Sequence, residues 1–165
     1  MRMRLVCAIG FAFTSLILSD SARSATATTT FPVSATVLKV CIVSANSLDF
    51  ASYDPTSPTN LDQSTTLSVL CTVGTSFTVG LNAGATSGTT VTTRKMANGS
   101  DRLNYALYQE AARTNNWGNT PGTDTPAAII APTTASTLTV YGRVPAGQNV
   151  PIGTYTDTVT VTVNY

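Results

Sequence analysis

The residue types that most often carry chemistry in proteins are sparse in this chain. It has no histidine, three cysteines and eight acidic residues among 165. Histidine is the commonest general base and metal ligand, so its absence excludes a Ser-His-Asp or Cys-His catalytic arrangement. The cysteines are too far apart for a zinc-binding pattern, and no glycine-rich phosphate-binding motif occurs. We therefore expect no metal, no cofactor and no enzymatic activity.

Two weaker interpretations of the polar and aromatic residues stay open. A glycosidase needs only two carboxylates, and Asp101 and Glu110 flank a predicted strand. Acids scattered along a chain are more commonly solvated surface charges, which is the simpler interpretation. A set of aromatic residues suggests sugar binding instead, although strand tyrosines usually pack with their hydroxyls at the rim of a sheet. The aromatic residues are Tyr105, Tyr108, Trp117 and Tyr141.

The N-terminus has the three parts of a secretory signal peptide. A basic start, MRMR, precedes the apolar run LVCAIGFAFTSLIL, which is short for a membrane span. Small residues at Ala22 and Ser24 predict cleavage after Ser24, with a second option after Ala27. Removal of residues 1–24 leaves no integral membrane segment and changes the net charge from +1 to about −1. A chain with that charge has no electrostatic attraction for nucleic acid.

Export determines which cysteines remain in the mature chain and whether they form a disulfide. Cys7 leaves with the signal peptide, so Cys41 and Cys71 remain. In an oxidising compartment two cysteines most simply form one disulfide. The bond would close a loop of about 30 residues and contribute roughly 3.5 kcal/mol on the chain-entropy account. The alternative is a pair of unbonded, buried thiols.

The elements that must position these residues are strands. Charged residues make up 10% of the chain, against about 25% in an ordinary globular protein, and Thr, Ser, Ala and Val replace them. Short strand-like segments are separated by clusters of Gly, Pro, Asn and Ser, a spacing typical of a β-sandwich or barrel. The predicted strands are residues 29–37, 38–43, 47–50, 65–73, 76–83, 102–109, 136–144 and 154–165. The predicted loops are residues 52–64, 83–93 and 115–128.

The alternation of apolar residues changes phase near Val37. The apolar set that starts at Phe31 occupies odd positions up to Val37 and then moves to Leu38 and Val40. A shift of one residue moves every side chain to the opposite face of a strand. This stretch is therefore two strands, or one strand with a bulge, and its halves can have different partners.

The C-terminal segment keeps a single phase to the last residue. Its apolar positions run from Tyr155 to Tyr165 and are interrupted only by Asp157, with threonines on the opposite face. This pattern predicts a strand with one buried and one solvated face. No further strand follows it in the sequence, although an uncovered edge strand is a hazard that proteins usually cover.

Several stretches together resemble the spore coat protein U domain family, which includes subunits of archaic chaperone–usher pili. They are FPVSATVLKVCIVSANSLDFASYDP, LSVLCTVGTSFTVGLNAG, RKM followed by LNYALYQEAARTNNWG, and VYGRVPAGQNVPIGTYTDTVTVTVNY. The resemblance covers the chain from about residue 30 to residue 165. It implies an all-β fold, an incomplete immunoglobulin-like antiparallel β-sandwich that lacks its final strand, with an N-terminal donor-strand extension.

The resemblance also implies roles for particular segments. A periplasmic chaperone first fills the groove left by the missing strand, and at the outer-membrane usher the extension of the next subunit replaces it. Residues 1–24 are then the signal peptide, 25–36 the donor-strand extension and 37–165 the pilin domain. Cys41 and Cys71 match the disulfide of the family. The implied donor residues are Phe31, Val33, Ala35 and Val37, and the implied acceptor residues are Val159, Val161, Val163 and Tyr165.

The implied function is that of a structural subunit of a secreted surface fibre, active in adhesion or biofilm formation. Such a fibre grows head to tail, and its partners are other pilin subunits, the chaperone and the usher. The protein would pass through the periplasm to the cell surface or the medium. The alternative is a self-contained secreted coat protein or carbohydrate-binding module, whose N-terminal segment folds back onto its own groove.

Overall fold

The computed structural model describes residues 23–165, and Thr36–Tyr165 form a unit of their own. That unit holds nine strands. In the part of the chain that the structure describes, no helix is long and apolar enough to span a membrane. The strands are β1 (Cys41–Ala45), β2 (Leu61–Cys71), β3 (Ser76–Leu81), β4 (Lys95–Asn98), β5 (Asp101–Asn104), β6 (Ala106–Tyr108), β7 (Ile129–Ile130), β8 (Ser136–Val144) and β9 (Val161–Asn164).

Two antiparallel sheets face each other across one core. One sheet has the order β1-β2-β8-β6, the other has the order β7-β3-β9, and β4 and β5 form a separate hairpin. Strand β8 shows why these segments pair, because its alternating sequence STLTVYGRV buries every second residue from Leu138 to Val144. Strand β3 contributes Phe77, Val79 and Leu81 from the opposite sheet. This architecture confirms the predicted all-β sandwich of immunoglobulin type.

Residues 47–50 were predicted as a strand and form a loop instead. The hydroxyl of Thr65 donates to the carbonyls of Asn46 and Ser47 at 3.0 Å, which holds the chain after β1 out of the ladder. Leu48 and Phe50 then turn into the core. They cross β8 so closely that a Cβ atom on Gly142 would lie 2.7 Å from each of them.

Other boundaries differ from the predictions where long-range contacts decide them. Strand β2 starts at Leu61, four residues inside a predicted loop, because Leu61 pairs with Val144 and the Asp62 carboxylate binds Arg143. The predicted strand over residues 102–109 is interrupted at Tyr105, whose N–H donates to the carbonyl of Arg94. The short strands β4 and β7 were not predicted.

The C-terminal segment is the element that differs most from its pattern. Of the predicted strand over residues 154–165, only Val161–Asn164 form β9. Further back, Thr156 makes an isolated bridge with Ala97. Strand β9 pairs with β3 on one side, and no strand in the described residues pairs with its other side. The sandwich is therefore incomplete at this edge.

Residues 23–40 contain no regular strand, although residues 29–37 and 38–43 were predicted as strands. Leu38 and Val40 are nevertheless held beside β2, since Thr72 Oγ1 donates to the Leu38 carbonyl and Thr72 N donates to the Val40 carbonyl, both at 2.9 Å. The predicted signal peptide lies outside the described residues, apart from Arg23 and Ser24. The predicted boundaries at residues 24 and 36 stay predictions.

Candidate functional site

A groove runs along the open side of the C-terminal segment. It consists of two cavities of about 650 Å³ and about 520 Å³. Both cavities are lined by Leu48, Phe50, Met96 and Tyr155, so they are continuous. Together they are larger than a typical small-molecule pocket, and the consecutive residues 150–159 line them.

The walls of the groove are two stretches of chain that are distant in sequence. One wall is the end of β1 and the loop after it, residues 45–50, and the other includes residues 154–159 and Val161. The floor consists of core side chains from both sheets, namely Leu67, Leu81, Leu107 and Val140. The groove is thus an opening into the hydrophobic core and not a surface depression.

The backbone of the C-terminal wall directs its free hydrogen-bonding groups into the groove. Thr156 exchanges both backbone hydrogen bonds with Ala97, and the Thr160 carbonyl accepts from Asn82 N. In an antiparallel pair, hydrogen-bonded residues alternate with residues whose N–H and C=O point the other way. The even-numbered residues therefore face β3 and β4, and the odd-numbered Val159, Val161 and Val163 face the open side. This edge can accept one more strand.

One inward position of this wall is polar. Asp157 Oδ1 accepts from the amides of Ala85 at 2.9 Å and Thr86 at 3.1 Å, and Oδ2 accepts from the Tyr105 hydroxyl at 2.7 Å. Burial, and then the hydrogen bond to Asp157, raise the pKa of Tyr105, so its hydroxyl keeps its proton. The carboxylate that interrupts the apolar pattern is thus satisfied by the loop after β3 and by the core.

Behind the groove, Arg94 and Trp117 are almost fully buried. The Arg94 guanidinium donates to four backbone carbonyls at 2.7–2.8 Å, which belong to Asn82, Val91, Leu81 and Trp117. Burial lowers its pKa from the usual arginine value. Trp117 is 1% exposed, and its indole N–H donates to the Val79 carbonyl. Trp117 therefore offers no face on which a sugar could stack.

The other candidate groups have ordinary structural contacts. Tyr108 and Tyr141 are paired on neighbouring strands, and the guanidinium of Arg113 lies 5.6 Å from the centre of the Tyr141 ring. Glu110 Oε1 accepts hydrogen bonds from Thr114 and Asn115 in its own loop. The hydrogen bond from Thr114 is the main cause that lowers the pKa of this carboxyl. Among residues 23–165 no group of three His, Cys, Asp or Glu side chains is placed to hold a metal ion.

The two cysteines form the predicted disulfide. Cys41 and Cys71 lie opposite each other on β1 and β2, and their sulfur atoms are bonded. The alternative of two unbonded thiols is excluded. The bond holds the first strand beside the rest of its sheet, and the chain after it becomes one wall of the groove.

The residues predicted as donors and acceptors lie in different surroundings. Phe31 and Val33 are 81% and 83% exposed, and Ala35 and Val37 are exposed as well. Val159 and Val161 line the groove. Val163 lies opposite Val79 and packs against the core, while Tyr165 is 55% exposed and lines neither cavity. The roles predicted for both sets stay predictions.

Several residues of the groove were missed by sequence reasoning. Leu48 and Phe50 alternate in SLDF, a pattern that predicts a strand and not a groove wall. Met96 gives no signal in the sequence, and Tyr105 suggests sugar binding rather than a place in this groove, because only the fold brings both beside the C-terminal segment. Asp157 interrupts the apolar phase in the sequence, but its partners lie more than 50 residues away.

Fold and groove together define an incomplete immunoglobulin-like sandwich that is open into its core beside the C-terminal strand. Comparison with known proteins gives the family. The model of the Spore Coat Protein U domain matches residues 27–162, so the chain belongs to this family. Protein U of Myxococcus xanthus is 37% identical over 166 residues, which cover 92% of each chain.

Solved structures of similar fold include pilus subunits. One is the complex of CsuC with CsuE, described as a chaperone–tip adhesion subunit pre-assembly complex from archaic chaperone-usher Csu pili of Acinetobacter baumannii. The likeness has a TM-score of 0.58 at 24% identity, and it covers 79% of this chain and 40% of that chain. The P pilus rod subunit PapA has a TM-score of 0.48 at 14% identity, covering 76% of this chain and 98% of PapA. The CsuE complex thus supports the fold assignment independently of the family match.

Proposed function

We propose that this protein is a structural subunit of a secreted surface fibre, a chaperone–usher pilus that serves adhesion or biofilm formation. Its subunits are joined by donor-strand complementation, in which the N-terminal extension of one copy fills the groove of another. The periplasmic chaperone occupies the groove before assembly, and the outer-membrane usher is the place of exchange. The mature protein is located at the cell surface or in the medium.

The observation that carries this proposal is the groove itself. Its floor is the hydrophobic core, and one wall is a β-edge with free N–H and C=O groups at Val159 and Val161. Uncovered, such an edge invites aggregation, so a protein that must stay soluble needs an occupant for it. A strand satisfies both the hydrogen bonds and the apolar floor.

The donor segment has the composition that the groove needs. In an extended strand Phe31, Val33, Ala35 and Val37 would share one face, and all four are exposed. Burying the three larger side chains at about 1.5–3 kcal/mol each gives on the order of 5–10 kcal/mol before ordering costs. The backbone ladder adds to this. An interaction of that size supports slow dissociation and a persistent fibre.

The family description favours one alternative, a self-contained coat protein. In that case the N-terminal segment would fill the groove of its own chain. A carbohydrate-binding module has less support, because Trp117 is buried and Tyr105 points its hydroxyl at Asp157. An enzyme has no support from the residues around the groove.

The decisive experiment is an unboiled SDS gel of the protein exported to the periplasm together with its chaperone and usher. We expect a ladder of multimers that collapses on boiling. A variant lacking residues 25–36 should give monomers only, since it has no donor strand. Val33→Asp should do the same, because a carboxylate would have to be buried in the apolar groove.

Ser34→Asp is the matched control for this experiment. Ser34 has the opposite phase to Val33, so the same new charge would stay in solvent and the ladder should persist. A single monomer band from all four proteins, with the unmodified chain soluble on its own, would overturn the proposal. That result would establish the self-contained coat protein instead.

A further inference from the structure

The phase of the groove edge decides how a donor strand can pair with it. The inward-facing residues of the C-terminal wall, Val159 and Val161, are also those whose N–H and C=O face the open side. Donor residues that point into the core must therefore be the ones that bond to this edge. The N–H and C=O groups of the donor residues between them point away from this edge.

This rule explains how Pro32 fits into a donor strand. Proline has no N–H and is tolerated only where its amide position faces away from the ladder. Pro32 lies between the inward-facing Phe31 and Val33, so its nitrogen points away from the C-terminal wall. No hydrogen bond to that wall is lost. The rule holds for every register that keeps the four apolar donor residues on the core side.

The length of the larger cavity limits the register further. Four inward-facing residues of the C-terminal wall line this cavity, namely Tyr155, Asp157, Val159 and Val161. The predicted donor also offers four inward-facing residues, Phe31, Val33, Ala35 and Val37. In an antiparallel strand these two sets match one to one.

The polar position of the wall fits the smallest donor residue. Asp157 already has its carboxylate hydrogen-bonded to Tyr105, Ala85 and Thr86. A large apolar side chain opposite it would press on this network and bury the carboxylate further without a new partner. In the one-to-one antiparallel register, Ala35 is the residue that lies opposite Asp157.

From these observations, and resting on the proposed function, we infer that the occupant of the groove is the N-terminal segment of a second copy of this chain in one specific register. The segment runs antiparallel to the C-terminal wall, with Phe31 opposite Val161 and Ala35 opposite Asp157. Asp157 is then a specificity-determining residue, which selects a small donor side chain and prevents slippage by two residues. The chain is consequently able to form a homopolymer.

Pairs of cysteines on the solvent face test this register. It places Ser34 opposite Thr158 and Thr36 opposite Thr156, and all four side chains are exposed. Both are non-hydrogen-bonded pairs, in which directly opposite Cα atoms are about 4.5 Å apart and within disulfide range. Diagonal neighbours lie about 7–8 Å apart. Two differently tagged full-length chains, one with a donor cysteine and one with a wall cysteine, are co-exported with the chaperone and usher.

The expected result is a covalent dimer on a boiled, non-reducing gel for two of four combinations. Ser34→Cys with Thr158→Cys and Thr36→Cys with Thr156→Cys should each give abundant dimer. The exchanged combinations, Ser34→Cys with Thr156→Cys and Thr36→Cys with Thr158→Cys, should give roughly tenfold less. Dimers mainly from the exchanged combinations mean a parallel strand or a shift by two residues, which overturns the register. Boiling-sensitive multimers without any covalent dimer also overturn it, and in both cases donor-strand assembly stands. Absence of all multimers overturns the proposed function as well.

A second pair of variants tests the role of Ala35. Ala35→Leu should reduce the multimer ladder roughly tenfold, because the larger side chain meets Asp157 and its partners. Ser34→Leu adds the same atoms on the solvent face and should keep the ladder. Equal ladders from both variants would show that the groove does not select a small residue at this position.

Discussion

At the scale of single residues, the groove depends on buried polar groups that complete the core behind it. Arg94 has no exposed surface and holds the carbonyls of Leu81, Asn82 and Trp117 through its guanidinium. Arginine suits this site because its planar donors reach several carbonyls at once. These contacts fix the loop after β3, whose amides in turn hold Asp157.

Replacing Arg94 is therefore expected to be costly. Arg94→Met keeps a long apolar stem but leaves buried carbonyls unpaired, and we expect a loss of about 3 kcal/mol or more in the free energy of unfolding. Urea unfolding followed by Trp117 fluorescence measures it. Arg102→Met is the control, because Arg102 donates only to nearby carbonyls of its own hairpin. A change below about 1 kcal/mol for Arg94→Met would contradict this role.

At the scale of elements, the disulfide ties β1 to β2 at the start of the groove wall. Its loop spans a sequence separation of 30 residues. Removing both sulfurs with Cys41→Ala and Cys71→Ala should lower the free energy of unfolding by about 3.5 kcal/mol on the chain-entropy account. Denaturant unfolding of the oxidised protein and the double variant gives the difference.

The control for this double variant is the unfolding of the unmodified protein with and without reductant. Under reducing conditions the unmodified protein should lose a similar amount, while the double variant should not respond to reductant. If the double variant were as stable as the oxidised protein, the bond would add nothing to the closure of this loop. The wall formed by residues 45–50 would then be held by packing and by its hydrogen bonds to Thr65 and Thr66.

At the scale of the whole molecule, the incomplete sandwich should gain stability when its groove is filled. A ligand that binds only the folded state stabilises it by about 2.7 kcal/mol at a hundredfold excess over its dissociation constant. We expect a synthetic peptide of residues 25–38 to raise the Tm of the Val33→Asp protein by several degrees. Differential scanning calorimetry measures the shift.

The control peptide carries the Val33→Asp substitution and should leave the Tm unchanged. Its charge would have to enter the apolar groove, which removes the driving force for binding. An equal rise with both peptides would mean binding elsewhere on the surface. No rise with either peptide would count against the groove as a strand acceptor.

Most of the strands could be predicted from the sequence because burial of one sheet face leaves an alternation of period two. Strand β8 has the predicted bounds, and β3 differs from its prediction only at its end. The alternation of residues 154–165 is equally regular, yet only Val161–Asn164 form a strand. A pattern reports which side chains would be buried in a strand, whereas pairing also needs a neighbouring strand.

By itself the sequence determined the all-β class, the disulfide partners and the apolar phase of both ends of the chain, and it predicts an export signal. These properties depend on residue types and on short-range alternation. Only the tertiary structure decided that residues 45–50 face residues 154–161 across an opening in the core, and that Asp157 finds its partners at Ala85 and Tyr105. Contacts between residues so far apart in sequence depend on how the sheets pack, and no local pattern encodes that packing.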